Sequence, residues 1–320
     1  MSDIAEGAPA THAEQAKTAL ATGAIDTRDL LDAWRAMLAL VDKLNLPVCR
    51  EVEYQVRQHG LFNFSNCGRE AYVTLNDDRF ISVELARNGE YDFAKFQMAL
   101  GFLGPLDTVV DVGANIGTIC IPAVARGLAR RAIAIEPDPL NFRVLMANLH
   151  LNDVAERIVA HRCAAGPRDG ETLLLERALH NSGDHRIRLR DQPGALGEER
   201  RVVVETPSRR LDDLLAPHDP DPAKTLVWMD VQGFEANVMA GAPRLLASRT
   251  PFVVEFCPYC LDRNGATGAL IEHATRHFSR LVVLAAGGPQ ELPATPETFA
   301  RLLAALDPAN PFSACDLLLF

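Results

Sequence analysis

The sequence predicts an α/β fold with a doubly wound, mostly parallel sheet, and two observations support this prediction. From about residue 105 to residue 320, short apolar runs alternate with segments of helical apolar periodicity. This alternation is typical of parallel strands joined by crossover helices. In addition, the apolar run at 108–112 leads into a Gly-Ala-Asn-Ile-Gly turn at 113–117, and a second apolar run at 132–136 ends on Glu136. That layout is typical of a nucleoside-binding strand–helix–strand unit.

Seven apolar runs of strand length follow residue 105, and we predict that they form the sheet. They are 108–112, 132–136, 158–164, 226–231, 251–257, 281–285 and 315–320. Helices are predicted between them at 116–127, 141–151, 235–246, 267–278 and 296–306. Residues 165–224 are too many for a simple helical crossover. They hold two further β-like runs, 171–175 and 201–206, around a polar loop.

About a hundred residues precede this domain, which is assigned to 105–320. Residues 1–26 lack a clear helix start or stop and are predicted to be a flexible tail. Residues 27–104 are predicted to form an N-terminal α+β accessory region. Its predicted elements are a helix at 29–44, a hairpin of 71–75 with 80–85 around an Asn-Asp-Asp turn, and a helix at 91–103.

Composition limits the classes of function. Of the 320 residues, 48% are hydrophobic and 23% are charged, values that suit a globular domain. The formal net charge of -10 opposes general nucleic-acid binding, which requires a basic surface to displace counterions from phosphates. No apolar run is long enough to span a membrane, and no export signal is recognised, so a cytoplasmic location is expected. The oligomeric state is open, and a homodimer is one possibility.

The glycine turn indicates the kind of ligand. Gly113 and Gly117 are four residues apart, which differs from the dinucleotide-binding pattern of three closely spaced glycines. We therefore expect a nucleoside ligand without a pyrophosphate, and S-adenosyl-L-methionine fits this description. Glu136, at the end of the second strand, is suited to accept the hydroxyls of a ribose.

Acidic residues follow or end four of the predicted strands: Asp111, Glu136, Asp230 and Glu255. Ligands of open α/β sheets lie beyond the carboxyl ends of the strands, so these four are candidates for the site. A charge at a buried strand end is costly unless something pairs with it, and a cationic sulfonium ligand is a suitable partner. The alternative for each acid alone is that it caps the helix that follows.

Several of these segments together resemble the FkbM family of S-adenosylmethionine-dependent methyltransferases. The segments are 110–117 (Val-Asp-Val-Gly-Ala-Asn-Ile-Gly), 135–139 (Ile-Glu-Pro-Asp-Pro) with Asn141 and Asn148, 211–214, 229–235 (Met-Asp-Val-Gln-Gly-Phe-Glu) with Gly241, and Val254 with Glu255. The resemblance extends from about residue 105 to residue 257. It implies the class I methyltransferase fold, Rossmann-like with seven strands of which the last is reversed, and methylation of hydroxyls on sugar-like or polyketide-like molecules.

The resemblance also implies roles for individual residues. The turn bearing Asp111, Gly113, Asn115 and Gly117 would hold the methionine part of the cofactor. Glu136 and the adjacent Pro137 would lie at the ribose, and Ala164 would lie near the adenine. Asp230 would lie at the cofactor, and it is the first candidate either for the base that removes the proton of the acceptor or for a group that orients the acceptor. One departure is Gln232, because the family usually has glutamate at this position.

A second candidate base is His185, in the polar loop 180–186 of the long insertion. The alternative is that this loop is simply a solvated surface segment. Cys257 and Cys260 have the spacing of half a zinc site or of a redox pair, but no second pair accompanies them, and no metal is expected. Two reduced thiols are the favoured interpretation.

Three function hypotheses, two enzymatic and one non-catalytic, remain open at this point. The first is a methyltransferase that acts on a hydroxyl of a small-molecule acceptor. The second is an N-methyltransferase acting on a small molecule or a protein, because the motifs do not separate oxygen from nitrogen acceptors. The third is a non-catalytic protein that keeps the nucleotide-binding fold.

Overall fold

The computed structural model of the chain describes residues 62–189 and 194–320. The predicted tail at 1–26 and the predicted helix at 29–44 lie outside the described residues. All described residues fall within one compact unit. Among them, no helix is both long enough and apolar enough to cross a lipid bilayer.

The described elements alternate largely as the sequence predicts. The strands are β1 (Phe62–Asn66), β2 (Ala71–Leu75), β3 (Leu106–Val112), β4 (Ala129–Ile135), β5 (Ile158–His161), β6 (Ala164–Ala165), β7 (Thr172–Arg177), β8 (Arg186–Ile187), β9 (Val202–Arg209), β10 (Thr225–Met229), β11 (Phe252–Phe256), β12 (Arg280–Leu284), β13 (Gln290–Pro293) and β14 (Cys315–Leu319). The α-helices are α1 (Ile81–Asn88), α2 (Phe93–Leu103), α3 (Cys120–Ala125), α4 (Pro139–Leu151), α5 (Leu211–Leu215), α6 (Glu235–Ala240), α7 (Pro243–Ala247), α8 (Pro258–Arg263), α9 (Thr267–His277) and α10 (Pro296–Ala305).

The main sheet has the strand order β13-β12-β14-β11-β10-β3-β4-β5. Strands β11, β10, β3, β4 and β5 pair in parallel, whereas β14 is antiparallel to both of its neighbours. The predicted class I methyltransferase fold, with its reversed last strand, is therefore confirmed. An eighth strand, β13, was not predicted. Its sequence, Gln-Glu-Leu-Pro, is mostly exposed at the sheet edge and lacks an apolar pattern.

The central strands owe their apolar sequences to burial on both faces. All five residues of β10 are buried, and β10 pairs with β3 on one side and with β11 on the other. Because β3, β4, β10 and β11 run in parallel, their carboxyl ends meet at one edge of the sheet. The chain leaves β3 towards β4 and returns to β10 on the opposite side, and a crevice forms at such a reversal of strand order.

The region before residue 105 contains a hairpin of β1 and β2, and this hairpin packs on α4. Asn148 of α4 accepts from the Val73 backbone N–H at 2.7 Å and donates to the Val73 carbonyl at 3.1 Å. The Asn148 amide also donates to the Ile116 carbonyl in the glycine turn at 3.0 Å. One buried side chain thus joins the hairpin, α4 and the turn that follows β3.

The predicted strand at 80–85 is wrong, because this segment forms helix α1. Asp78 Oδ1 accepts from the backbone N–H groups of Phe80 and Ile81 at 2.7 and 2.9 Å and so supports the start of the helix. Ile81 and Leu85, four residues apart, are buried on one helical face. The true partner of β2 is β1, in antiparallel register with Phe64 opposite Val73.

The long insertion forms a second, small sheet of order β6-β9-β7-β8. The two β-like runs predicted within it are confirmed as β7 and β9, which pair in antiparallel register from Thr172 opposite Pro207 to Arg177 opposite Val202. The polar loop that follows β7 carries His185.

Candidate functional site

A cleft of about 500 Å³, including its open mouth, lies at the carboxyl ends of β3, β4 and β10. The cleft is lined by seven of the sequence-predicted site residues: Gly113, Asn115, Glu136, Pro137, Ala164, His185 and Asp230. Strand ends and the insertion loop therefore meet at one place.

Other cleft residues were not singled out as site residues from the sequence. They include Asn141, Leu175, Ser182, Gly183, Ile187 and Phe234. Ser182 holds the insertion loop against the glycine turn, because its carbonyl accepts from the side-chain amides of Asn115 at 2.8 Å and Asn141 at 2.9 Å. The position of Asn141, two residues after the Glu-Pro-Asp-Pro segment, could have identified it as a site residue. No local sequence pattern identified Ser182.

Two predicted residues, Asp111 and Gly117, do not line the cleft. Asp111 is 2% exposed, and its Oδ2 accepts from the backbone N–H of Cys120 at 3.0 Å, at the start of α3. Burial raises the pKa of Asp111 to about 6. A Cβ on Gly117 would lie 2.5 to 2.9 Å from side-chain atoms of Ile121 and Leu145. Helix packing therefore accounts for both residues, and their contact with a cofactor stays a prediction.

Gly113 lines the cleft, yet the space beside it is already occupied by protein. Its φ is +85°, and a Cβ there would lie 2.0 Å from the carbonyl oxygen of Asp230. The β3 and β10 chain ends approach closely because the Asp230 N–H also donates to the Val112 carbonyl at 3.1 Å. Gly113 is therefore required for the close approach of two strand ends, and its contact with the cofactor stays a prediction.

Replacing Gly113 with alanine is expected to lower the free energy of unfolding by more than about 2 kcal/mol. The left-handed backbone conformation alone costs a Cβ-bearing residue about 1 to 2 kcal/mol, and the contact with the Asp230 carbonyl adds to this. Urea unfolding of wild type and variant measures the difference. The matched control is Gly127→Ala, since Gly127 has φ +70° but nothing within 4 Å of an added Cβ. Equal losses in the two variants would contradict the close-approach explanation.

Glu136 is held at the cleft by two backbone donors. Its Oε2 accepts from the Asn115 N–H and its Oε1 from the Asp138 N–H, both at 2.8 Å. The residue is 4% exposed, and burial raises its pKa to about 8, although the two N–H groups favour the charged form. Each carboxylate oxygen can accept a second hydrogen bond. The arrangement suits a ligand that offers two neighbouring hydroxyl donors.

His185 lies in the cleft wall, but its hydrogen bonding opposes a role as base. Its Nδ1 accepts from the Ala178 N–H at 3.2 Å, which assigns the proton of the neutral ring to Nε2. Nε2 lies 3.9 Å from Asp138 Oδ2. Burial lowers the pKa of His185 to about 4, so the ring is neutral near pH 7. In this state Nε2 can donate to a ligand but cannot take its proton.

Asp230 follows β10 and is linked to Glu255 of β11 through one amide. Gln232 Nε2 donates to Asp230 Oδ1 at 2.7 Å and to Glu255 Oε2 at 3.1 Å. Asp230 is partly exposed, yet protein surrounds the carboxylate closely enough that desolvation raises its pKa to about 7, while the bond from Gln232 opposes the rise. The position where the family usually has glutamate thus holds a donor between two carboxylates.

Further charged groups lie near Asp230 and were missed from the sequence. Lys95 of α2 makes ion pairs of 2.7 Å with both Asp92 and Asp316. Burial raises the pKa of Tyr91, and the charges of Asp92 and Asp230 raise it further. These groups come from the region before β3 and from β14, distant segments whose meeting at Asp230 depends on the tertiary fold.

The cleft wall also carries buried polar atoms that suit a ligand. Asn115 Oδ1, Asn141 Oδ1 and His185 Nε2 are buried and have no hydrogen-bond partner among the described residues. A buried polar atom without a partner is costly, so a bound molecule that satisfies it is stabilised. Two amide acceptors and the Glu136 carboxylate match the hydroxyl and amino donors of a nucleoside that carries an amino acid.

Comparison with known proteins agrees with this geometry. The model of the methyltransferase FkbM domain matches residues 111–282, more than half of the chain. The chain belongs to the FkbM methyltransferase family. S-adenosylmethionine is accordingly the cofactor of this FkbM protein, and the residues of the cleft fit it.

Individual relatives match the FkbM protein to different extents. A "Methyltransferase sdnD" from Sordaria araneosa is 28% identical over 197 residues, 54% of this chain and 73% of that protein. A tRNA(Phe) (4-demethylwyosine(37)-C(7)) aminocarboxypropyltransferase from Pyrococcus horikoshii is 39% identical over 69 residues, 22% of this chain and 24% of that protein. Among solved structures, P. horikoshii TYW2 in complex with MeSAdo aligns with 89% of this chain and 82% of its own at 15% identity, with a TM-score of 0.38.

Proposed function

We propose that this FkbM-family methyltransferase methylates a hydroxyl of a small-molecule acceptor, such as a sugar-like or polyketide-like compound. The observation that carries the proposal is the placement of Asp230. Its carboxylate lines the cleft beside Gly113 and has a pKa raised to about 7. A hydroxyl acceptor has to lose its proton, and a base is most effective when its pKa lies near the working pH.

The cofactor would be held by the residues that surround the cleft. Glu136 would accept the ribose hydroxyls, and the Asn115 and Asn141 amide oxygens would accept from other donors of the cofactor. When bound, S-adenosylmethionine supplies a methyl group on a positively charged sulfur. The protein would contribute alignment of the acceptor with that methyl group and the exclusion of water.

Asp230 would take the acceptor proton on Oδ2, the oxygen to which Gln232 does not donate. Gln232 would keep the carboxylate in one orientation because its amide is also bonded to Glu255. His185 would act as a donor through Nε2 rather than as the base. The net charge of -10 favours a small acceptor over a polyanionic one.

The proposal is tested by incubating the protein with S-adenosylmethionine carrying a labelled methyl group and three sets of acceptors. Polyols and polyketide-like alcohols form the first set, and primary and secondary amines form the second. The third set is unmodified tRNA, included because one relative is named for a reaction on tRNA(Phe). Label on an alcohol oxygen supports the proposal. Label on nitrogen or on tRNA alone would replace it with another acceptor class, and turnover of none would favour the non-catalytic alternative.

Replacing Gln232 with glutamate is expected to move the pH profile of methyl transfer to higher pH. The wild-type rate should rise as pH increases through about 7, because Asp230 acts in its ionised form. Glutamate at 232 removes the donor to Asp230 and Glu255 and adds a like charge, which disfavours ionised Asp230 and raises its pKa further. The rate measured as a function of pH checks the shift.

A matched control is Gln232→Met, which removes the donor without adding a charge. We expect it to shift the profile in the same direction but by less. A shift of the Gln232→Glu profile to lower pH would contradict the assignment of Asp230 as the base.

A further inference from the structure

Among the described residues, the thiols of Cys257 and Cys260 form a nucleophilic pair that the proposed reaction does not use. Cys257 directly follows β11, and Cys260 lies in the next turn, in α8. Their Sγ atoms are 3.0 Å apart, and both residues are 1% exposed. The backbone N–H of Cys260 also points to Cys257 Sγ at 3.5 Å. A sulfur–sulfur bond is about 2.05 Å long, so a shift of about 1 Å would connect the two side chains.

The environment of the pair favours a reactive thiolate. The hydrogen bond from Cys260 lowers the pKa of Cys257 to about 7, against the effect of burial, and the charge of Arg186 contributes in the same direction. The pKa of Cys260 is raised, so this residue remains the thiol partner. A thiolate next to a thiol is the arrangement in which thiol oxidation proceeds to a disulfide.

Cys260, but not Cys257, borders a cavity. Cys260 lines a second cavity of about 280 Å³, together with Arg186, Gln232, Arg263 and Asn264. Cys257 and Cys260 do not belong to any group of three or more metal-ligating side chains among the residues that the structure describes. The surroundings therefore suit a pair of thiols better than a thiolate metal site, which requires further ligands.

The backbone of Cys260 packs against the turn that carries Gln232. A Cβ on Gly233 would lie 2.4 Å from the Cys260 carbonyl oxygen, and Asn264 Nδ2 donates to the Gly233 carbonyl at 3.0 Å. Gln232 itself lines the cavity beside Cys260 and has a φ of +55°. A small movement of the α8 backbone would therefore displace the tightly packed, left-handed turn at Gln232 and Gly233.

We propose that Cys257 and Cys260 form a reversible intramolecular disulfide, and that its formation shifts the Gln232–Gly233 turn beside Asp230. In this reaction two S–H bonds break and one S–S bond forms. The pair loses two electrons and two protons, and a peroxide such as hydrogen peroxide is reduced to two molecules of water. Reduction by a small dithiol restores both thiols. The inference does not depend on which acceptor is methylated.

The disulfide is tested on the full-length protein by treatment with hydrogen peroxide, removal of the oxidant and labelling with N-ethylmaleimide in denaturant. The chain has seven cysteines, and intact mass should show two fewer labels after oxidation. Both residues lie in one tryptic peptide, 250–263, which should lose two hydrogens in mass. Dithiothreitol should restore all labels. Unchanged labelling, or a disulfide between other cysteines, would overturn the proposal.

Variants distinguish this pair from general thiol oxidation. Cys257→Ser and Cys260→Ser should each abolish the loss of two labels, and Cys257→Ala serves if the serine variant does not fold. Cys67→Ser is the matched control, because Cys67 lies on the distant hairpin connection and should leave the disulfide intact. Hydrogen–deuterium exchange of peptides covering 230–235 should differ between oxidised and reduced protein. Identical exchange in the two forms would overturn the proposed link to the turn.

Discussion

Replacing Glu136 with alanine is expected to weaken binding of S-adenosylmethionine by about 2 to 4 kcal/mol, or roughly 30- to 1000-fold in the dissociation constant. Hydrogen bonds donated by the ribose favour the ionised form of Glu136, so two charge-assisted bonds would be lost. The effect is expected to be large because the carboxylate is buried and already positioned by the N–H groups of Asn115 and Asp138. Titration calorimetry with S-adenosylmethionine and with its demethylated product measures the change.

Asp111→Asn provides the control for this experiment. Asp111 is also a buried acid at a strand end, but it binds the Cys120 N–H away from the cleft, and an asparagine oxygen can still accept that bond. Because Asp111 does not line the cleft, we expect this variant to bind the cofactor within a few-fold of wild type, a result that would contradict the binding role that the family resemblance implies for Asp111. Thermal unfolding of both variants separates binding from stability. If Glu136→Ala binds normally while Asp111→Asn does not, the cofactor lies on the other side of β3 from the cleft.

Replacing Asp230 with asparagine is expected to lower the rate of methyl transfer by about 100-fold or more, the usual effect of losing a positioned base. Affinity for the cofactor should change by only a few-fold. The substitution keeps the size of the side chain, and its oxygen can still accept from Gln232. Single-turnover rates with an identified acceptor, together with calorimetry of cofactor binding, separate the two quantities.

His185→Ala is the companion variant, since His185 lines the same cleft. The Ala178 N–H occupies its Nδ1, so its removal should affect binding or orientation more than proton transfer. The pH dependence of the rate should therefore be retained in His185→Ala and lost in Asp230→Asn. A large rate loss in His185→Ala with little change in Asp230→Asn would move the base from the strand end to the insertion loop.

The parts of the fold that were predictable from sequence are those with a local signal. Strands β3 and β4 are short apolar runs that are easily recognised in the sequence. A glycine turn follows β3, and Glu136 follows β4. Helix α1 was missed because the Asn-Asp-Asp sequence before it was interpreted as a hairpin turn, whereas the Asp78 carboxylate accepts from the Phe80 and Ile81 N–H groups at the start of the helix. Edge strand β13 was missed because an exposed strand needs no apolar pattern.

For the candidate site, too, some features were predictable from the sequence and others were not. Asn115, Glu136 and Asp230 line one cleft, because residues at the ends of neighbouring parallel strands necessarily meet, and their contacts with the cofactor stay predictions. The roles of individual residues were harder to predict. Asp111 and Gly113 have the residue types of a binding turn, and the structure shows that helix capping and strand packing already require them. The position of Gln232 between two carboxylates depends on contacts between segments distant in the chain.

The amide of Asn148 gives the β1–β2 hairpin a thermodynamic link to the cofactor cleft. This single side chain bonds Val73 in the hairpin and the Ile116 carbonyl in the glycine turn. Opening the hairpin would remove a buried partner from the amide that holds the turn, so the two segments should fluctuate together rather than independently. A ligand that stabilises the turn then also stabilises residues 71–75, although none of them lines the cleft.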